Sequence, residues 1–92
     1  MKYEIRYTNQ FKRDIKLAKK QNRNLDKLFE LIGILADGQV PDKKYRDHDL
    51  TGRFTGTREC HIESDWLLIY EIRNEYLILI LYRTGSHSDL FK

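Results

Sequence analysis

Three histidines, His48, His61 and His87, lie outside the two stretches of this chain that repeat with a helical period. Asp65 and Trp66 flank the turn that follows His61, and Arg83 precedes His87 by four residues. An unperturbed imidazole changes charge near pH ~6.5, so it can give or take a proton at neutral pH. A carboxylate beside it can orient the ring or favour its protonated form. The planar fork of an arginine matches the oxygens of a phosphate. RNA cleavage needs these parts: a base for the ribose 2′-OH, an acid for the leaving 5′-oxygen, and a cation for the charge developing on the phosphoryl group. The residue types are therefore sufficient for metal-free acid–base cleavage of RNA.

Each residue also has a plainer reading. A single surface histidine is more often idle than catalytic; three that share one sheet edge are a stronger signal. Arg83 can pair with a carboxylate on the sheet, and Asp65 suits a turn. Trp66 opens an apolar strand, so core packing competes with base stacking. Phe91 can stack on a base or pin the tail to the core. Cys60 reads as a small core residue. Lys12 and Lys16, on the polar face of the first helix, suit either solvent or RNA phosphates. Three histidines and an aspartate could bind zinc. The chain has no HxxxH, HxH or CxxC spacing, however, and its two closest histidines are 13 positions apart. The expectation is no metal. Without a GxGxxG or P-loop pattern, no nucleotide cofactor is expected either.

The elements that must position these groups are legible from periodicity. Residues 2–7 alternate charged with apolar or aromatic side chains, as a half-buried strand does. Thr8 or Asn9 can cap a helix whose apolar face is Phe11, Ile15 and Ala18. Asn24 can cap a second, with Leu25, Leu28, Phe29, Ile32 and Leu35 inward, ending at Asp37-Gly38 before Pro41. Residues 41–56 read as loop with one short edge strand near Leu50. Strands follow at 57–62, 66–73 and 76–84, the last without a polar face and so central in a sheet. Ser86–Phe91 suits a final helical turn. The expected class is α+β in two layers: an N-terminal strand, then an αα-hairpin packed on a mainly antiparallel sheet.

Ninety-two residues suffice for one domain, residues 1–92, with one core. Lys plus Arg is 17 against 14 Asp plus Glu, a net +3 that modestly favours a polyanionic partner. The single cysteine argues against a disulfide framework, and the charged start of the chain against a signal peptide. No apolar run is long enough to span a bilayer. The expected location is the cytoplasm.

The pieces DHDLTG, HIESDWLLIY and RTGSHSDLF, in that order after the FKRDIKLAKK helix, resemble the RelE/ParE superfamily of bacterial type II toxins, within it the YafQ branch. The resemblance covers essentially the whole chain. It implies a ribosome-dependent endoribonuclease that cuts mRNA in the decoding site and is held in check by a tightly bound antitoxin. That antitoxin is expected to carry a ribbon–helix–helix domain, so that operator DNA is met only through the complex. Catalytic or substrate-contacting roles then fall on His48, His61, Asp65, Arg83, His87 and Phe91, with Trp66 in a structural or stacking role. His87 stands where RelE members use a C-terminal tyrosine. Two rivals use the same scaffold: a non-catalytic module such as a ParE-like gyrase inhibitor, and a DNA-binding regulator reading phosphates with its first helix. The gyrase-directed relatives lack this histidine set.

Overall fold

The computed structural model describes residues 1–91. The chain runs β1 (Glu4–Tyr7), α1 (Asn9–Lys20), α2 (Leu25–Ala36), β2 (His48–Asp49), β3 (Arg58–Glu63), β4 (Trp66–Arg73), β5 (Ile78–Gly85) and α3 (His87–Leu90), with short 3-10 turns at Lys43–Tyr45 and Gly52–Phe54. The expected two-layer α+β arrangement is present. One five-stranded sheet has the order β1-β5-β4-β3-β2, antiparallel except where β1 joins β5 in parallel. The apolar β5 thus has a neighbour on each side. No helix among the described residues is long and apolar enough to cross a membrane.

Helix starts follow the capping chemistry of the sequence. Thr8 accepts from the Phe11 N–H and Asn24 from the Asp26 N–H, each satisfying an otherwise orphaned donor. Leu28, Leu31, Ile32, Leu35 and Ala36 form the buried stripe of α2. Phe29, expected inward, is half exposed, and Leu31 takes its place, so the buried face is rotated from the one read in the sequence. The helices cover one sheet face, where they meet Cys60, Trp66, Leu68, Tyr70, Leu79 and Leu81. Burying each leucine of this set contributes about 1.5–3 kcal/mol.

Strand ends differ from expectation at β1, which begins at Glu4, at β3, which runs Arg58–Glu63, and at both ends of β5. β5 begins at Ile78, because Asn74–Leu77 forms a turn in which the Leu77 N–H reaches the Asn74 carbonyl and Leu77 takes a left-handed φ of 53°. The short edge strand is His48–Asp49, just before Leu50.

Buried against the helix layer, the Cys60 thiol is pushed up to about 12, by burial first and by the nearby Asp47 carboxylate second. The Tyr70 phenol is raised by burial and by its hydrogen bond to Asp47. The folded protein therefore keeps protons that the unfolded chain gives up first, and stability falls as pH rises. Urea midpoints should be steady below pH ~9, the ordinary range of a free thiol, and drop progressively as pH climbs towards 12. A Cys60→Ala variant should show a shallower drop; equal slopes would remove Cys60 as a cause.

Candidate active site

The sheet face away from α1 and α2 carries His48, Glu59 and His61. Strand side chains alternate between faces, so Cys60 enters the helix-side core while Glu59 and His61 project to the other side. The β2–β3 ladder sets His48 opposite Glu59. The result is a three-residue cluster. His61 Nε2 lies 3.0 Å and His48 Nε2 3.5 Å from the same oxygen, Glu59 Oε1. Glu59 is only 4% exposed, whereas half of the His48 side chain is open to solvent.

The partners set the tautomers. His48 Nδ1 is 2.8 Å from the Arg46 carbonyl, which can only accept, so Nδ1 carries the proton and Nε2 of the neutral ring keeps its lone pair. His61 does the reverse. Its Nε2–H faces the Glu59 carboxylate, while its buried Nδ1 has no partner among the described residues. When His48 Nε2 gains a proton, the Glu59 carboxylate beside it becomes a favourable contact.

A second group lies across the same face. His61 and Gly85 both pair with Leu67, so their backbones are two strand spacings apart, about 10 Å. Beyond Gly85 the chain turns into α3, and His87 is exposed there with its ring 4.8 Å from that of Phe91. Asp65 accepts from the His87 backbone N–H at 3.0 Å. Leu67, Ile69 and Leu90 form the apolar floor, with Leu50, Phe54, Tyr82 and Phe91 against it. Arg53 donates to the Leu90 carbonyl and lies over the Phe54 ring, adding a guanidinium at this end.

The placement of the sequence candidates is therefore uneven. His48 and His61 form one cluster, and His87, Phe91 and Asp65 form another on the same face. Asp65, expected near His61, instead anchors the start of α3; the carboxylate that meets the His61 ring is Glu59. Sequence reasoning missed Glu59, although its i, i+2 spacing from His61 in a strand was the available signal. Arg83 is engaged by Asp14 of α1, through Nε at 2.8 Å and Nη2 at 3.2 Å. Asp14 also accepts from the Thr84 N–H, replacing a strand partner where β1 has ended. Trp66 is completely buried among core residues, so base stacking is not open to it. Lys12 and Lys16 of α1 line a groove with Phe11 and Ile15 of the same helix and Tyr7 of β1. That helix packs on β5, next to the β1 edge, while the His48 cluster occupies the β2 edge.

One expectation rested on local spacing alone. His48 and His61 are far apart in sequence, yet they and Glu59 offer ligand atoms within 4.8 Å of one another. Imidazole nitrogens with a carboxylate oxygen are a donor set that zinc and copper accept, and the Nδ1–H···O=C bond of His48 is the usual outer support of such a ligand.

A profile of the bacterial YafQ toxins of type II toxin–antitoxin systems matches residues 3–92. The chain belongs to the YafQ toxin family. It is 38% identical over 89 residues to the mRNA interferase toxin YafQ of Escherichia coli K12, covering 96% of this chain and 95% of the relative. The fold matches that of E. coli YafQ in its DinJ–YafQ toxin–antitoxin complex with a TM-score of 0.90 at 36% identity, over the full length of both chains. A metal-bound toxin from Helicobacter pylori is equally similar, with a TM-score of 0.90, 39% identity, and 97% of this chain and 99% of that one covered.

Proposed function

We propose that this YafQ-family protein is an mRNA interferase, a toxin whose residues 1–92 act as one domain to cut mRNA on the ribosome, in the cytoplasm, by metal-free acid–base catalysis. The observation that carries the mechanism is the pair of imidazoles that share the buried Glu59 carboxylate. His48 is half exposed, with its Nδ1 held by the Arg46 carbonyl and its Nε2 beside Glu59, and that Nε2 is the general base. It takes the ribose 2′-OH proton, the 2′-oxygen attacks the adjacent phosphorus, and Glu59 stabilises the resulting imidazolium. His61 holds the carboxylate in place from the other side. The P–O5′ bond breaks as His87, across the apolar floor, delivers a proton to the departing oxygen. The products are a 2′,3′-cyclic phosphate and a free 5′-OH.

Phe91 and the His87 ring offer a base-stacking surface at this end. Arg53 and the outer edge of Arg83 supply positive charge for the phosphates. Asp65 contributes by holding the backbone of His87. Lys12 and Lys16, away from the histidines, serve phosphate contacts at longer range. The E. coli relative occurs in a complex with the antitoxin DinJ, and an antitoxin of that kind, with a ribbon–helix–helix DNA-binding domain, is the partner inferred here.

The donor set that makes His48 a base also suits a divalent transition metal, and a related H. pylori toxin is metal-bound. A metal on His48 Nε2 would occupy the lone pair that takes the proton. Purified protein with programmed ribosomes should therefore cleave mRNA fully in EDTA and leave 2′,3′-cyclic phosphate ends. Stoichiometric zinc should inhibit, and EDTA should reverse the inhibition. Cleavage that requires added metal, or products ending in 3′-OH, would overturn the mechanism.

A further inference from the structure

We propose that Arg58 is a positioning residue for His48, acting through the two aspartates that flank it; the proposal rests on the reading of His48 as the base. β2 is only two residues long and pairs with β3 at two positions, His48 with Glu59 and Asp49 with Arg58. So short a ladder specifies the rotation of its strand weakly, and a rotation would turn His48 away from Glu59.

Alternation places Asp47 and Asp49 on the face opposite His48, and there one guanidinium grips both. Arg58 Nη2 reaches Asp47 Oδ2 at 3.0 Å, with Nε 3.2 Å from each Asp47 oxygen, and Nη1 holds Asp49 Oδ1 at 2.5 Å. The Tyr70 hydroxyl donates to Asp47 Oδ1, and the Cys60 thiol lies 3.7 Å from the same atom. Asp47 is thereby tied to β3 and β4 from beneath. The planar fork of arginine is what allows one side chain to hold two carboxylates in fixed directions, which the single charge of a lysine does not do.

The staple has a second consequence for the imidazole. Residue 46 is in the left-handed region, with φ of 47°, which a non-glycine residue adopts only when its neighbours hold it there. Its carbonyl is the group that accepts from His48 Nδ1. Anchoring Asp47, the next residue, keeps that carbonyl aimed at the ring. Arg58 therefore sets both the direction of His48 and the nitrogen that carries its proton, without touching substrate.

The test is a double-mutant cycle on ribosome-dependent cleavage, with ¹⁵N NMR of the His48 ring as a second readout. Arg58→Met should reduce cleavage by about 10–100-fold, the scale of a small misplacement of a reacting group, and should mix the His48 tautomers. In a His48→Ala background the same substitution should cost nothing further. Asp49→Asn, whose side chain is 80% exposed, should give a smaller loss at unchanged melting temperature; it carries the test if Arg58→Met does not fold. Equal losses with and without His48, or an unchanged His48 ring in both variants, would overturn the proposal. Full cleavage by His48→Ala alone would instead remove the reading of His48 as base.

Discussion

Replacing His87 with alanine should lower mRNA cleavage by about 10²–10⁴-fold, the usual contribution of a positioned general acid, while leaving the melting temperature nearly unchanged. The stability half follows from exposure. The His87 ring lies on the surface against Phe91, and what holds α3 in place does not involve it. Ser86 caps the helix by accepting from the Asp89 N–H, Asp65 takes the backbone N–H of residue 87, and Leu90 is buried beneath. The activity half follows from chemistry. In the proposed metal-free mechanism the leaving oxygen needs a positioned acid, and His87 is the titratable ring on α3, exposed beside Phe91. Mapping mRNA 5′ ends after induction of wild type and variant gives the comparison. Similar cut-site occupancy in both strains would take His87 out of the mechanism.

Trp66→Ala should destabilise the fold by about 3–5 kcal/mol, as expected for truncating a large buried aromatic. Domains of this size have net stabilities of about 5–15 kcal/mol, so most of the margin would be lost. Trp66 is fully buried between strands and helices, with the Arg23 guanidinium 5.3 Å from its ring centre. Its loss leaves a cavity beneath β4, the strand on which His61 and Gly85 both pair. Trp66→Phe should retain more of the stability and, once folded, cleave mRNA normally. Urea unfolding of the three proteins measures this. An alanine variant that keeps its unfolding midpoint yet loses RNA affinity would restore the stacking role.

The Trp66 case shows where one-dimensional reasoning stops. A tryptophan opening an apolar strand is equally compatible with a base platform and a core anchor, because alternation says that neighbours face opposite ways without saying which face the helices cover. The same ambiguity affected Arg83. Its carboxylate partner, Asp14, lies on α1, and the two meet because β1 ends early and leaves the β5 edge to be completed by a helix side chain. Phe29 shows the limit for helices: the period was correct, but the rotation of the buried stripe depends on the sheet it meets.

By itself the sequence determined the order and type of the elements, the α2 cap at Asn24, the interior place of the apolar strand, and the residue types that acid–base cleavage needs. These depend on local periodicity and capping, which neighbouring residues carry without help. Tertiary structure decided the partners. Strand register joined His48 to Glu59 and His61, chain reversal after β5 placed His87 beside Asp65, and Arg58 was drawn beneath the short strand that holds His48. Register is a relation between distant segments, settled by the whole core at once, and a shift of one residue in β2 would have sent His48 to the face opposite Glu59 and His61.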